Sequence, residues 1–230
     1  MKIGAITVGQ SPRIDVTADI MGIFDGKAEL LERGALDGLT LEQIAEFKPE
    51  EGDYVLVSRL KDGTSVTFAE RYIIPRLACA IKELESQGVD LIMMFCTGKF
   101  PDTLASKVPL IYPCEVLDRM VPLLTAKSSI AVVTPSPLQI EQSKEKWSKI
   151  VKEVKVVSGT PYGDWEELKE AVRQLKDTEA DLIVLDCIGF SREMKALFTS
   201  GTKKPVLLPR TLLARLVSEL TDPGIPVRDA

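Results

Sequence analysis

One nine-residue segment occurs twice in this chain, and the recurrence restricts the fold more than any other feature. Asp90-Leu91-Ile92-Met93-Met94-Phe95-Cys96-Thr97-Gly98 aligns without a gap on Asp181-Leu182-Ile183-Val184-Leu185-Asp186-Cys187-Ile188-Gly189, with Asp, Leu, Ile, Cys and Gly identical. The match resumes where Pro113 to Val121 aligns on Pro209 to Val217, sharing Pro, Leu, Arg and Val. Upstream, the first strand-like stretch, ending in Ser11-Pro12, resembles Ser129 to Ser136-Pro137. A unit repeated on this scale is a supersecondary module copied within one chain. The expected molecule therefore has two similar halves, the first longer by an inserted segment.

Short apolar runs alternate with longer amphipathic ones. Strands are expected near 2–8, 28–33, 53–59, 90–95, 109–112, 129–134, 153–158, 181–186 and 205–208, with helices near 13–24, 40–47, 69–87, 101–106, 114–126, 137–150, 164–177, 190–199 and 209–221. Unbroken apolar strands such as Leu182-Ile183-Val184-Leu185 suit sheets covered on both faces, and the alternation with helices makes them mostly parallel. The fold class is α/β: two αβα domains related by a pseudo-twofold duplication, with a cleft between them. The first comprises 1–112 plus 209–230 with an inserted hairpin, and the second 113–208. Asp62-Gly63, between Tyr54-Val55-Leu56-Val57 and Ser65-Val66-Thr67-Phe68, marks that hairpin turn. The Gly224 region after the last helix reads as a flexible terminus.

The 230 residues contain no histidine, which removes Ser-His and Cys-His nucleophile pairs, His-based zinc sites and any imidazole base. Proton chemistry near neutral pH would fall to Cys, Lys, Tyr or a perturbed carboxylate. A net charge of −5 argues against a nucleic-acid binder. The longest apolar run, Leu91 to Cys96, is too short to span a bilayer. The four cysteines, at 79, 96, 114 and 187, have no metal-ligand spacing, and the chain starts directly on strand-like residues rather than a signal peptide. A reduced, cytoplasmic protein with no metal or cofactor is expected.

Ligands of open α/β sheets bind beyond the carboxyl ends of the strands. Strand, Cys-x-Gly, then helix puts a thiol at that edge, beside N–H groups and a helix terminus that favour thiolate. Cys96 and Cys187 recur at the same place in both halves. Facing each other across a cleft, they would form a base and an acid able to remove a proton from one face of a carbon and return one to the other. The plainer reading is a small apolar packing residue copied by duplication. That reading is preferred for Cys79, placed on the apolar face of a helix, and for Cys114, which has no counterpart in the other half. Candidate substrate contacts are the residues following strands at the cleft edge: Gln10, Ser11 and Arg13; Ser58 and Arg59; Thr97 and Gly98; Thr134 and Ser136; and Gly189. Arg13 or Arg59 would grip a carboxylate in bidentate fashion. Ser11-Pro12 and Ser136-Pro137 are equally good helix-start signals, and Glu141 to Lys155 reads as a solvated helix face.

The paired Cys96-Thr97-Gly98 and Cys187-Ile188-Gly189 resemble the aspartate/glutamate/hydantoin racemase superfamily, and the resemblance implies that the two cysteines are catalytic bases. Ile6-Thr7-Val8-Gly9-Gln10-Ser11-Pro12-Arg13, Leu185-Asp186-Cys187-Ile188-Gly189-Phe190 and Pro205-Val206-Leu207-Leu208 through Arg215-Leu216 look like the AroM family in particular. Thr97 directly after the first cysteine, Ile188 after the second and the missing histidine depart from the common racemase pattern. The expected function is a cofactor-independent racemase, epimerase or isomerase acting on a small carboxylate. The alternatives are a non-catalytic ligand-binding or regulatory protein of the same fold and a single-cysteine decarboxylase. Expected partners are a small carboxylate, with no nucleic acid or membrane, and self-association is left open.

Overall fold

The computed structural model describes residues 1–222. The remaining tail, where a flexible terminus is expected, lies outside the described residues. The first half runs β1 (Lys2–Thr7), α1 (Ile14–Phe24), β2 (Glu29–Gly34), α2 (Leu41–Ala45), β3 (Val55–Arg59), β4 (Ser65–Ala69), α3 (Ile74–Ser86), β5 (Leu91–Phe95) and β6 (Leu110–Ile111). Then follow α4 (Pro113–Met120), β7 (Ser129–Thr134), α5 (Ile140–Ser148), β8 (Glu153–Ser158), α6 (Trp165–Leu175), β9 (Leu182–Leu185), α7 (Arg192–Thr202), β10 (Val206–Leu207) and α8 (Pro209–Thr221).

Two four-stranded sheets result, ordered β2-β1-β5-β6 and β10-β9-β7-β8. Every pairing in both is parallel. Numbered within its own half, each sheet has the order 2-1-3-4, so the copied sequence segments occupy equivalent third strands, β5 and β9. The antiparallel hairpin β3–β4 stands outside both sheets.

Strand periodicity explains the layering. Ile3, Ala5, Leu91 and Met93 face α1 and α8, whose Val16, Ile20, Leu213 and Val217 close one side of the first sheet. Ile6, Ile92 and Met94 face the hairpin and α3 on the other. In the second sheet Ile183 and Leu185 meet Leu168, Ala171 and Phe198 of α6 and α7, while Leu182 and Val184 meet Leu117 and Trp147 of α4 and α5. Each fully buried side chain of this kind contributes on the order of 2 kcal/mol. α8 thus belongs to the core of the sheet at the other end of the chain, and α4 to that of the sheet following it.

Three local expectations differ from the structure. Residues 101–106 form turns rather than a helix: the stretch between Pro101 and Pro109 is too short to repay nucleation, and Ser106 and Lys107 bond Glu85 instead. The expected 69–87 and 114–126 helices each divide into an α-helix and a 3-10 turn, at Pro75 and Pro122, because proline cannot donate into a preceding turn. Cys79 is exposed rather than on an apolar face, since the buried stripe of α3 is Leu77, Ala80, Ile81 and Leu84, and Cys79 points away from it. Among the described residues no helix is long and apolar enough to cross a membrane.

Candidate functional site

In each sheet the strand order reverses beside the third strand, and crevices open at such switch points. Cys96 follows β5 and Cys187 follows β9, and both thiols are buried at 7% and 6% exposure in the wall of one cavity between the halves. The two loops are built alike. Gly98 N–H donates to Cys96 Sγ and Gly189 N–H to Cys187 Sγ, each at 3.4 Å. The second glycine has the tighter surroundings: a Cβ on Gly189 would overlap the buried Tyr162 phenol, whereas one on Gly98 would press on the terminal methyl Leu56 Cδ2 at 2.9 Å. The hairpin closes the cavity from the first half, and α5 closes it from the second. Val55 N–H donates to Gln142 Oε1 (3.0 Å), while Gln139 Nε2 (2.9 Å) and Gln142 Nε2 (3.0 Å) both donate to Val55 O. With these contacts made, the cavity measures about 30 Å³, room for a water or two.

The surroundings of the two sulfurs differ. Tyr162 Oη lies 3.7 Å from Cys187 Sγ, a contact in which either group can donate, and accepts from Arg13 Nη2 at 3.3 Å. Arg13 is buried and held by both Asp15 carboxylate oxygens at 2.8 Å and by Thr7 Oγ1 at 3.1 Å, with Ser58 Oγ at 3.5 Å. Burial opposes the charge on Arg13, but Tyr162 and Asp15 outweigh it and raise its pKa, so the guanidinium stays charged. Burial likewise raises Tyr162, keeping it a proton donor. Burial pushes the Cys187 thiol up and Asp186 adds to the rise, with the Gly189 N–H, Tyr162 and Arg13 all pulling the other way. Cys96 is pushed up by burial too, but only the Gly98 N–H opposes, while Cys187, Cys114 and Asp186 add to the rise. The expectation that strand-end N–H groups bring both thiols toward thiolate is therefore reversed in this closed cavity, because loss of water outweighs one N–H contact.

Behind the thiols lies a polar cluster centred on Asp186, the residue before Cys187. Asp186 accepts from Trp147 Nε1 at 2.7 Å and from Lys146 Nζ at 3.1 and 3.4 Å, and Lys146 also reaches Thr97 O at 3.3 Å. Thr97 Oγ1 donates to Asp186 O at 3.0 Å, tying one cysteine loop to the other. Lys146 and Asp186 are each only 7% exposed, so the expected solvated face from Glu141 to Lys155 is interrupted at Lys146. The one available signal was Lys146 beside Trp147 within the polar stretch Glu141 to Lys149. Tyr162 was equally invisible, lying in a turn distant in sequence from both cysteines.

Of the residues expected at the cleft, Thr97, Gly98 and Thr134 line the cavity with the two cysteines. Gly189 N–H bonds Cys187 Sγ, Arg13 reaches that thiol through Tyr162, and Ser58 Oγ lies 3.5 Å from Arg13 Nη1. Four are used elsewhere. Gln10 Nε2 donates to Leu36 O and Leu39 O, and Ser11 is bound twice by Asp37. Arg59 caps its own hairpin turn at Gly63 O, and Ser136 Oγ accepts from Leu138 N–H. Neither arginine offers its fork to the cavity, since Asp15 already occupies that of Arg13. Cys114 is buried in the α4 core, where burial pushes its thiol up to about 11. Among the described residues no group of three or more Cys, Asp or Glu side chains could hold a metal ion.

Solved structures with this architecture include allantoin racemase from Klebsiella pneumoniae, 16% identical, with a TM-score of 0.66 over 96% of this chain and 87% of that one. Maleate isomerase Iso from Pseudomonas putida S16 is 16% identical, with a TM-score of 0.65 over 96% and 92%. Picrophilus torridus aspartate racemase is 13% identical, with a TM-score of 0.60 over 96% and 94%. At these identities the likeness establishes the two-domain racemase fold. None of the curated proteins matches the sequence. The AroM protein family model matches residues 3–221, and the chain belongs to the AroM family.

Proposed function

We propose that this protein transfers protons at a carbon next to a carboxylate, with Cys187 as base and Cys96 as acid, in the manner of a cofactor-independent racemase, epimerase or isomerase. The observation that carries this reading is the placement of two thiols, from equivalent strand ends of duplicated halves, in the wall of one cavity. The halves, 1–112 with the described part of 209–230, and 113–208, act as the two walls. Parting of the hairpin from α5 admits water and substrate and relieves the desolvation that holds both thiols protonated. The Arg13–Tyr162 relay then selects Cys187 as the thiolate. Its sulfur takes the α-proton, and the C–H electron pair moves into the carboxylate as an enediolate. Cys96 S–H returns a proton to the opposite face, leaving Cys96 as thiolate and Cys187 as thiol, and the reverse turnover restores them. Donors on the Thr97-Gly98 loop, with the Thr134 hydroxyl, would meet the developing oxyanion.

Two other readings have specific support. Thiols raised by burial suit a binding protein without turnover, and the relay at Cys187 alone suits a one-thiol decarboxylase. Solvent-deuterium incorporation at the α-carbon decides between them, starting with aspartate, which the name of one structural relative suggests. Exchange that is abolished by Cys96→Ala and by Cys187→Ala supports the two-thiol mechanism. Exchange that survives the double variant sinks it. Loss with Cys187→Ala alone selects the one-thiol reading.

A further inference from the structure

Among the described residues, two buried side-chain oxygens have no hydrogen-bond partner, and one of them, Ser143 Oγ, belongs to a residue in the cavity wall. Ser143 is 6% exposed. A helical hydroxyl has an easy internal outlet, the carbonyl one turn back. Thr199, Ser200 and Thr202 of α7 all take it, donating to Lys195 O, Ala196 O and Phe198 O. Ser143 has the same option on α5 and makes no such bond. Buried polar groups in native proteins are seldom left unpaired, so this one points to a ligand.

Lys146 lies three residues further along the same helix face and also lines the cavity. Its contacts to Asp186 and Thr97 are all 3.1 Å or longer. Asp186 keeps the Trp147 N–H at 2.7 Å when the ammonium turns toward a ligand. Among the described residues Lys146 is the single cation of the lining and Asp186, paired with it at 3.1 Å, the single carboxylate, while Tyr54, Leu56 and Val57 form the apolar side.

We propose that Ser143 is the anion receptor of the two-thiol site, donating to a carboxylate oxygen that Lys146 neutralises, and that the ligand class is a small carboxylate bearing one negative charge and an apolar remainder. The inference rests on the two-thiol reading above and deepens it. It adds a binding residue that no strand-end pattern marks.

Competitive alkylation with iodoacetate and its neutral isostere iodoacetamide tests it, read by peptide mass spectrometry at each cysteine, with exposed Cys79 as internal reference. The iodoacetate-to-iodoacetamide rate ratio at Cys96 or Cys187 should exceed that at Cys79 by about tenfold, the effect of a hydrogen bond to a charged group. Ser143→Ala should bring it to within about threefold of the Cys79 ratio, and Ser143→Thr, which keeps the hydroxyl, should retain most of it. A preference that persists unchanged in Ser143→Ala overturns the inference and leaves the two-thiol reading standing. No preference at either buried thiol in the wild type likewise overturns the inference alone, while no alkylation of either thiol by either reagent overturns the two-thiol reading as well. Propionate should protect the thiols from iodoacetamide at lower concentration than malonate, and the opposite order rejects the single-charge ligand class.

Discussion

Replacing Tyr162 by Phe removes one oxygen, and its consequence at Cys187 can be worked out. The ring stays packed over Gly189, so burial of the thiol is unchanged. Arg13 keeps Asp15 at 2.8 Å and Thr7 at 3.1 Å, so no uncompensated charge is created. What is lost is one O–H donor at 3.7 Å from sulfur. Hydrogen bonds to charged groups contribute about 1.5–3 kcal/mol, and this long contact falls at the low end. A loss of about 1.4 kcal/mol raises the Cys187 pKa by about one unit. The thiolate fraction on the rising limb falls about tenfold, while the more basic sulfur recovers about threefold in nucleophilicity, leaving alkylation about three- to fourfold slower. The assay is the pH–rate profile of iodoacetamide alkylation, read separately at Cys187, Cys96 and Cys79. Cys187 should shift upward, with Cys96 and Cys79 unmoved. An unshifted Cys187 profile, or an equal shift at Cys96, would refute the relay.

Asp186→Ala leaves the Lys146 ammonium buried without its counter-ion and should cost about 3–5 kcal/mol, a fall in Tm of roughly 10 °C; the Lys146→Met/Asp186→Leu double variant should lose less than the sum of the single changes. Burial lowers the Lys146 pKa, but Asp186 outweighs it and the folded value lies above the unfolded one. The stabilisation is therefore complete below about pH 10.4 and lost as pH climbs through the folded value, which urea melts across that range would follow. Gly189→Ala should destabilise by about 1–3 kcal/mol through collision with the Tyr162 phenol, and should reproduce the Tyr162→Phe shift at Cys187 in the same alkylation profile. Gln142→Ala removes both of its bonds to Val55, so hydrogen exchange at the Val55 amide should quicken by about tenfold or more, and both buried thiols should alkylate faster.

Much of the architecture was legible because it follows local rules. Leu91–Phe95 and Leu182–Leu185 are unbroken apolar runs that tolerate only a doubly covered strand, and the Cys-x-Gly endings mark where each chain segment leaves its sheet. Asp62-Gly63 announced its hairpin in the same way. Local rules failed where the environment is assembled from afar. Gln10, Ser11 and Arg59 occupy the correct strand ends, yet their side chains are taken by Leu39, Asp37 and Gly63, and no spacing along the chain reveals such competition.

The sequence by itself determined the duplicated α/β architecture, the absence of imidazole chemistry and the pair Cys96 and Cys187, since periodicity, composition and repetition are properties of the chain. Only the tertiary structure decided the environment of those thiols. The hairpin latched to α5 strips water from both sulfurs and raises their pKa values. Tyr162 and Arg13 favour one sulfur over the other, and α5 brings Ser143 and Lys146 to the cavity wall. Charge and hydrogen bonding act through space over a few ångströms, and Arg13 and Tyr162, which meet on that scale, lie 149 positions apart in the chain.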